Sequence, residues 1–167
     1  MYQLGQAFGI VAMILCLVMP LFKKKWQMLL TIGLVNLFFA LNLLFIGQIG
    51  TGMIMNGIAI VQTLISYRHL KTGTPVTKAE NILFFILYVG LGSLGLHSTL
   101  DLLPIIAAVF NMLATFQPDE QKTRFLTMVN ALIYFAYYAA LGASAMLAEL
   151  LGAITSLIGM IKYRKKK

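Results

Sequence analysis

Asn36 and Asn130 each sit well inside a long apolar stretch of this chain. An amide among hydrocarbon side chains costs free energy unless it meets a partner, water or a solute. Two uses fit the pair. They could face one another across a central cavity and hold a small polar molecule near the bilayer midplane. They could equally bond neighbouring helices as structural glue, at ~0.6 to 2 kcal/mol each. Asn111, in a later run, and Asn56, on a stripe of small and polar residues, extend the set. Tyr134 lies one helical turn beyond Asn130 and offers a flat apolar face with a hydroxyl, which suits a sugar, a nucleobase or a heterocycle. The expected substrate-binding residues are therefore Asn36, Asn130, Asn111, Asn56 and Tyr134. Glu149 is an ionisable side chain about six residues, or ~9 Å, inside the outer end of its run. Partial burial disfavours its charged form, so it reads as a proton-coupling acceptor, a partner for a cationic group, or a snorkelling interface residue.

Enzymatic chemistry is not expected. His69 and His97 fall at opposite ends of the runs, and no HExxH, GxSxG or glycine-rich phosphate loop occurs. The single cysteine, Cys16, excludes an internal disulfide and a cysteine cluster for metal. Haem and zinc lack grouped ligands, and the last run carries no internal lysine for a retinal Schiff base. No cofactor is expected.

Seven apolar runs must position these groups: 4–22, 26–47, 50–67, 79–96, 99–116, 125–141 and 143–161. Sixty per cent of the 167 residues are hydrophobic and 11% are charged, far too little charge to cover a soluble surface of this size. A span needs ~20 mostly apolar residues, which predicts an all-helical, polytopic membrane protein with seven transmembrane helices. The region between Lys78 and Lys122 must hold two crossings and is interrupted by Gly90, Gly92, Gly95 and Pro104. A single span with a re-entrant piece is the alternative there. Pro104 fits a helix start better than a hinge, and Pro20 reads the same way at the end of the first run.

The bases sort by loop. Lys23, Lys24 and Lys25 follow the first run; Arg68, Lys71 and Lys78 follow the third. Lys122 and Arg124 follow the fifth, and Lys162, Arg164, Lys165, Lys166 and Lys167 follow the seventh. The loops around Gln48, around His97 to Asp101 and around Gly142 carry none. Seven crossings put every base on one side, so the N-terminus is expected outside and the C-terminus in the cytoplasm. The net charge of +8 then meets anionic headgroups, not nucleic acid. The first run, without a basic leader or a cleavage site, reads as a span and not a signal peptide.

The chain also repeats itself. Phe22 is matched by Phe116 and Val35-Asn36 by Val129-Asn130, while Tyr67-Arg68 returns as Tyr163-Arg164 and Gly47 as Gly142. This pattern predicts a three-helix repeat over 1–71, a linker loop and fourth helix over 72–98, and a second repeat with a basic tail over 99–167. An odd linker makes the two units parallel, with an axis along the membrane normal. Two stripes, Gly52, Asn56, Ala59, Thr63 and Ser66, and Ala145, Glu149, Gly152, Ser156 and Gly159, read as packing seams.

This 3+1+3 arrangement resembles the SWEET and PQ-loop transporters, although the PQ dipeptide is absent, Pro20 being followed by Leu21. A closer resemblance, running nearly end to end, is to the YgjV family of bacterial inner-membrane proteins. It rests on Leu4-Gly-Gln-Ala-Phe-Gly9 with Phe22, Leu102-Leu-Pro-Ile105 with Ala114-Thr-Phe116, and Gly142 with Glu149 and Tyr163-Arg164. The resemblance implies the fold and the inner membrane, and names no activity. Together with the buried amides it leads to the expectation of a SWEET-like facilitator for a small, mostly neutral polar metabolite. The expected partners are the lipid bilayer, that metabolite and further copies of the chain. The rival expectation is a membrane scaffold or partner subunit that transports nothing.

Overall fold

The computed structural model describes residues 2–47, 51–94, 96, 98–140 and 145–164, without the side chains of residues 51, 52 and 145. Gln48, His97, Gly95, Leu141, Gly142, Ala143 and Lys165 to Lys167 lie outside the described residues, and the packing of the seam positions Gly52 and Ala145 is likewise not described. Among the described residues all regular structure is helical: α1 (Tyr2–Val18), α2 (Lys25–Phe45), α3 (Thr51–Thr72), α4 (Lys78–Ser93), α5 (Leu102–Phe116), α6 (Glu120–Ala140) and α7 (Ala145–Lys162). Short 3-10 turns, Met19–Leu21 and Thr99–Asp101, end α1 and precede α5. Among the described residues three helical segments, Tyr2–Leu21, Lys25–Phe45 and Thr99–Phe116, are long and apolar enough to cross a bilayer.

Local chemistry sets the helix ends, and it moves several of them from where hydropathy alone put them. α3 outlasts its apolar run to Thr72 and stops at Gly73, whose φ of +70° is the left-handed conformation that favours glycine after a helix. α6 starts at Glu120, ahead of its apolar run, because Asp119 Oδ1 accepts the Lys122 backbone N–H at 2.9 Å. α4 opens with a capping box in which Glu80 Oε2 accepts from the Thr77 N–H at 2.7 Å and Thr77 Oγ1 accepts from the Glu80 N–H at 3.2 Å. It ends at Ser93, shorter than its run, and at 16 residues reaches ~24 Å. Pro104 is the third residue of α5, where its missing N–H has no intrahelical acceptor to lose, so it is a helix start.

Consecutive helices pack against each other throughout the chain, and two further contacts, α3 with α5 and α1 with α7, close the bundle. Helices α1, α2, α3, α5, α6 and α7 thus form a ring of neighbours, with α4 laid against α3 and α5. The region between Lys78 and Lys122 holds two complete helices in a hairpin. Its junction with α3 is a core of Ala59, Phe84, Tyr88, Ala108, Met112 and Phe116, where Phe84 and Phe116 meet edge to face at 5.3 Å.

The outward faces are apolar. Ile82, Leu83, Phe85 and Ile86 stand exposed along α4, and Leu64 on α3 and Ile161 on α7 are about two-thirds exposed. Water would not tolerate so continuous an apolar surface on a monomer, whereas lipid solvates it.

Candidate functional site

Polar side chains concentrate in two places, one end of the ring and its interior. At the first, Lys25 opens α2 with its ammonium buried, donating to the Ala114 carbonyl at 2.9 Å and to Thr123 Oγ1 at 2.7 Å. α2 and α6 are opposite members of the ring, and here their starts touch. Next to it, the buried Arg124 donates through Nε to the Pro20 carbonyl at 2.9 Å and through Nη2 to the Phe22 carbonyl. Its guanidinium lies 4.8 Å from the centre of the Tyr163 ring. The Tyr163 hydroxyl donates to the Leu21 carbonyl at 2.9 Å, and Gln121 Nε2 donates to the Tyr163 carbonyl. Carbonyls left open where α1 unwinds through Pro20 are thereby satisfied by α6 and α7. On the far side of the same end, His69 Nε2 and Glu80 Oε1 pair at 2.9 Å between α3 and α4. The Thr77 N–H bond, then the His69 contact, hold the Glu80 carboxyl well below its ordinary range, at about 2. The described bases flanking the runs therefore share one end of the bundle, the basic end.

In the interior, Gln62 of α3 is fully buried and joins three helices. Its Nε2 donates to the Met112 carbonyl of α5 at 2.9 Å, and its Oε1 accepts from the Tyr88 hydroxyl of α4 at 3.0 Å. Three buried oxygens of the second half have no hydrogen-bond partner: Thr127 Oγ1 and Asn130 Oδ1 on one face of α6, and Ser156 Oγ on α7. Helices α6 and α7, which carry these oxygens, pack on each other.

The five expected substrate-binding residues and the expected proton-coupling Glu149, six in all, fall out unevenly. Asn36 is the twelfth residue of α2 and Asn130 the eleventh of α6, some 15–17 Å inside helices of equal length. Their depths match, but Asn36 Nδ2 donates to the Ile32 carbonyl of its own helix at 2.8 Å, and no hydrogen bond joins it to Asn130. Asn111 and Asn56 are half-buried on α5 and α3. Tyr134 stacks on Tyr138 at 5.9 Å, and Tyr138 meets Tyr137 at 5.3 Å, a short aromatic column along α6. Glu149 is half-buried on α7, close enough to interact electrostatically with Tyr134, Tyr138 and Cys16. Two cavities lie at the basic end, one beside Lys25, Ser66 and His69 and one beside Lys24, Trp26 and Lys71, and neither is lined by any of the six.

Lys25, Arg124 and Tyr163 are missing from the sequence-based site because charge at a run boundary reads as topology. Lys25 is one of three successive lysines, and only packing separates the inward one from Lys23 and Lys24, which are exposed. Gln62 carries a legible signal, an amide deep in an apolar run, but its partners come from two other helices.

A family model described as a bacterial inner membrane protein, Imp-YgjV, matches residues 3–167. Comparison with curated proteins and with solved structures yields no match.

Proposed function

Because the chain belongs to the Imp-YgjV family of bacterial inner membrane proteins, we propose that it is a seven-span, SWEET-like facilitator. It passes a small, mostly neutral polar metabolite between two parallel three-helix units, 1–71 and 99–167, joined through 72–98. The observation that carries this reading is the group of unpartnered oxygens on Thr127, Asn130 and Ser156. In a bundle solvated by lipid, buried oxygens without donors are costly, and a passing solute or its water supplies those donors.

The packing supports the repeat. Exchanging α1, α2 and α3 with α5, α6 and α7 turns every contact of the ring into another contact of the ring. The α1–α7 contact becomes the α5–α3 contact, as a two-fold axis along the membrane normal requires. Helices α2 and α6, each of 21 residues, occupy equivalent places. The basic end is the cytoplasmic end in this reading, with the N-terminus outside and the C-terminus inside. The Lys25–Thr123 bond then closes the space between α2 and α6 on the cytoplasmic side. Asn130, Tyr134, Asn36, Asn56 and Asn111 are the proposed substrate contacts, and Glu149 the proposed proton-coupling group.

A second reading has its own support. The Asn36 amide is satisfied within α2, and Asn42 Nδ2 donates to the Gly5 carbonyl of α1 at 2.7 Å. The Asn42 bond is interhelical glue, and the Asn36 amide has no need of a solute, as in a scaffold or partner subunit. Single cysteines at Thr127, Asn130 and Ser156 in a Cys16→Ser background separate the two. A facilitator gives labelling of all three by a small water-soluble methanethiosulfonate in bilayers, together with uptake of neutral polar solutes by proteoliposomes. Labelling of a Lys122→Cys control alone, with no uptake, establishes the scaffold. For Glu149, Glu149→Gln is expected to leave insertion intact and remove the pH dependence of uptake; retained pH dependence rules out its coupling role.

A further inference from the structure

A cavity of about 440 Å³ opens at the basic end between α2, α3, α5 and the segment joining α3 to α4, a volume typical of small-molecule sites. Its polar lining is Lys25, Ser66, His69, Thr74, Asn81, Thr115 and Gln117. Most of these groups are already engaged. His69 is bonded on both ring nitrogens, to Thr74 and Glu80, and Thr115 Oγ1 donates to the Asn111 carbonyl at 2.9 Å. Two groups are not. Ser66 is 5% exposed, and its Oγ has no partner. Lys25 is 4% exposed and spends two of its three N–H donors on uncharged oxygens.

The charge on Lys25 is the deciding point. Among the described residues the ion pair formed within 4.0 Å is His69 with Glu80, so no carboxylate contacts the Lys25 ammonium. Burial pushes the Lys25 ammonium down to about 7, Glu120 and Asp119 draw it back only from longer range, and an anion at its open donor would favour the charged form. A buried ammonium held by neutral oxygens favours an anion at its remaining donor. We propose that this cavity binds the anionic group of a small ligand, a carboxylate or phosphate, with Lys25 as charge partner and the Ser66 hydroxyl as second donor. The apolar walls, Leu29, Leu113 and Phe116, receive the rest of the ligand. The site does not rest on the transport reading, and failure of uptake leaves it standing.

The test is calorimetric titration of inorganic phosphate into the purified full chain, held in nanodiscs of phosphatidylcholine alone. Saturable binding is expected, weakened about tenfold by Ser66→Ala and abolished by Ser66→Leu, which fills the cavity. Both variants remove an unpartnered hydroxyl and should unfold no earlier than the wild type. Lys25→Gln should also abolish binding, but it breaks bonds between helices, so the Ser66 variants carry the test. Nanodiscs containing phosphatidylglycerol give the second arm, in which native mass spectrometry reads retained lipid. Phosphate binding in phosphatidylcholine identifies a free anion as ligand. Retention of phosphatidylglycerol by the wild type and not by Ser66→Leu, without phosphate binding, identifies a lipid headgroup in the same site. Phosphate affinity or lipid retention equal in wild type and Ser66→Leu, or neither ligand held at all, overturns the proposal.

Discussion

Arg124, near the start of α6, donates its Nε–H to the carbonyl oxygen of Pro20, 104 positions earlier at the end of α1. The bond joins the first helix to the second half of the chain at the point where a proline turn leaves α1 carbonyls open. Arg124 also holds Phe22 and faces Tyr163, so one guanidinium fixes α1, α6 and α7 together. Arg124→Ala should lower stability by about 3 kcal/mol, since it strips donors from two carbonyls. Arg124→Lys should recover only part of this, because an ammonium lacks the planar fork. Thermal unfolding in detergent, followed by helical ellipticity, measures both; a wild-type midpoint for Arg124→Ala would refute the assignment.

Tyr163→Phe keeps the ring beneath Arg124 and removes only the hydroxyl bond to Leu21. A loss of about 1 kcal/mol is expected, against roughly twice that for Tyr163→Ala, where the cation–π contact goes too. The same unfolding measurement ranks the two, and equal losses would assign no role to the ring.

Glycines separate close approach from mere permissiveness. A Cβ on Gly159 of α7 would run into the Pro20 carbonyl and stand 3.0 Å from Arg124 Cδ, whereas one on Gly90 of α4 meets nothing within 4 Å. Gly159→Ala should destabilise by about 1–3 kcal/mol through forced displacement of backbone. Gly90→Ala should be neutral or stabilising by up to ~1 kcal/mol, the ordinary gain of alanine over glycine in a helix. Opposite signs are the prediction, and two losses of similar size would contradict the α1–α7 packing.

The Gln62–Tyr88 bond calls for a double-mutant cycle. Tyr88→Phe leaves the buried Gln62 Oε1 without its donor, and Gln62→Leu leaves the Tyr88 hydroxyl without its acceptor. Each single change should cost about 1–3 kcal/mol, and the double change clearly less than the sum. Additivity would mean the two side chains do not depend on each other.

Glu80 supplies a pH signature. Its carboxyl titrates near 2 in the folded chain against an ordinary value of 4.5, held down first by the Thr77 N–H and then by His69. A depressed folded value means the carboxylate stabilises fully above 4.5, and that stabilisation is lost as pH falls toward 2. Wild type should therefore unfold above Glu80→Gln at pH 7, with the gap narrowing below pH 4.5. A gap that stays constant down to pH 3 would remove Glu80 from the cap.

The residue pattern alone determined a good deal about this protein. Apolar runs separated by turn chemistry fix the helices, because lipid demands that backbone groups be satisfied within each segment. Two helices between Lys78 and Lys122, and Pro104 as a helix start, were legible for the same reason. The family likeness was legible from the order of short motifs, and the match over residues 3–167 establishes it. What packing decided is which polar groups meet. Asn36 bonds within its own helix while Asn130 Oδ1 is left open, although the two occupy nearly the same depth in equally long helices. Lys25 turns inward to Thr123 while Lys23 and Lys24 stay in solvent, and Gln62 bridges helices whose sequences do not mark it. Depth and hydropathy are properties of one helix and can be read along it. The direction a side chain faces, and the donor it finds there, are set by the rotation of each helix against its neighbours, which arises only when all of them pack.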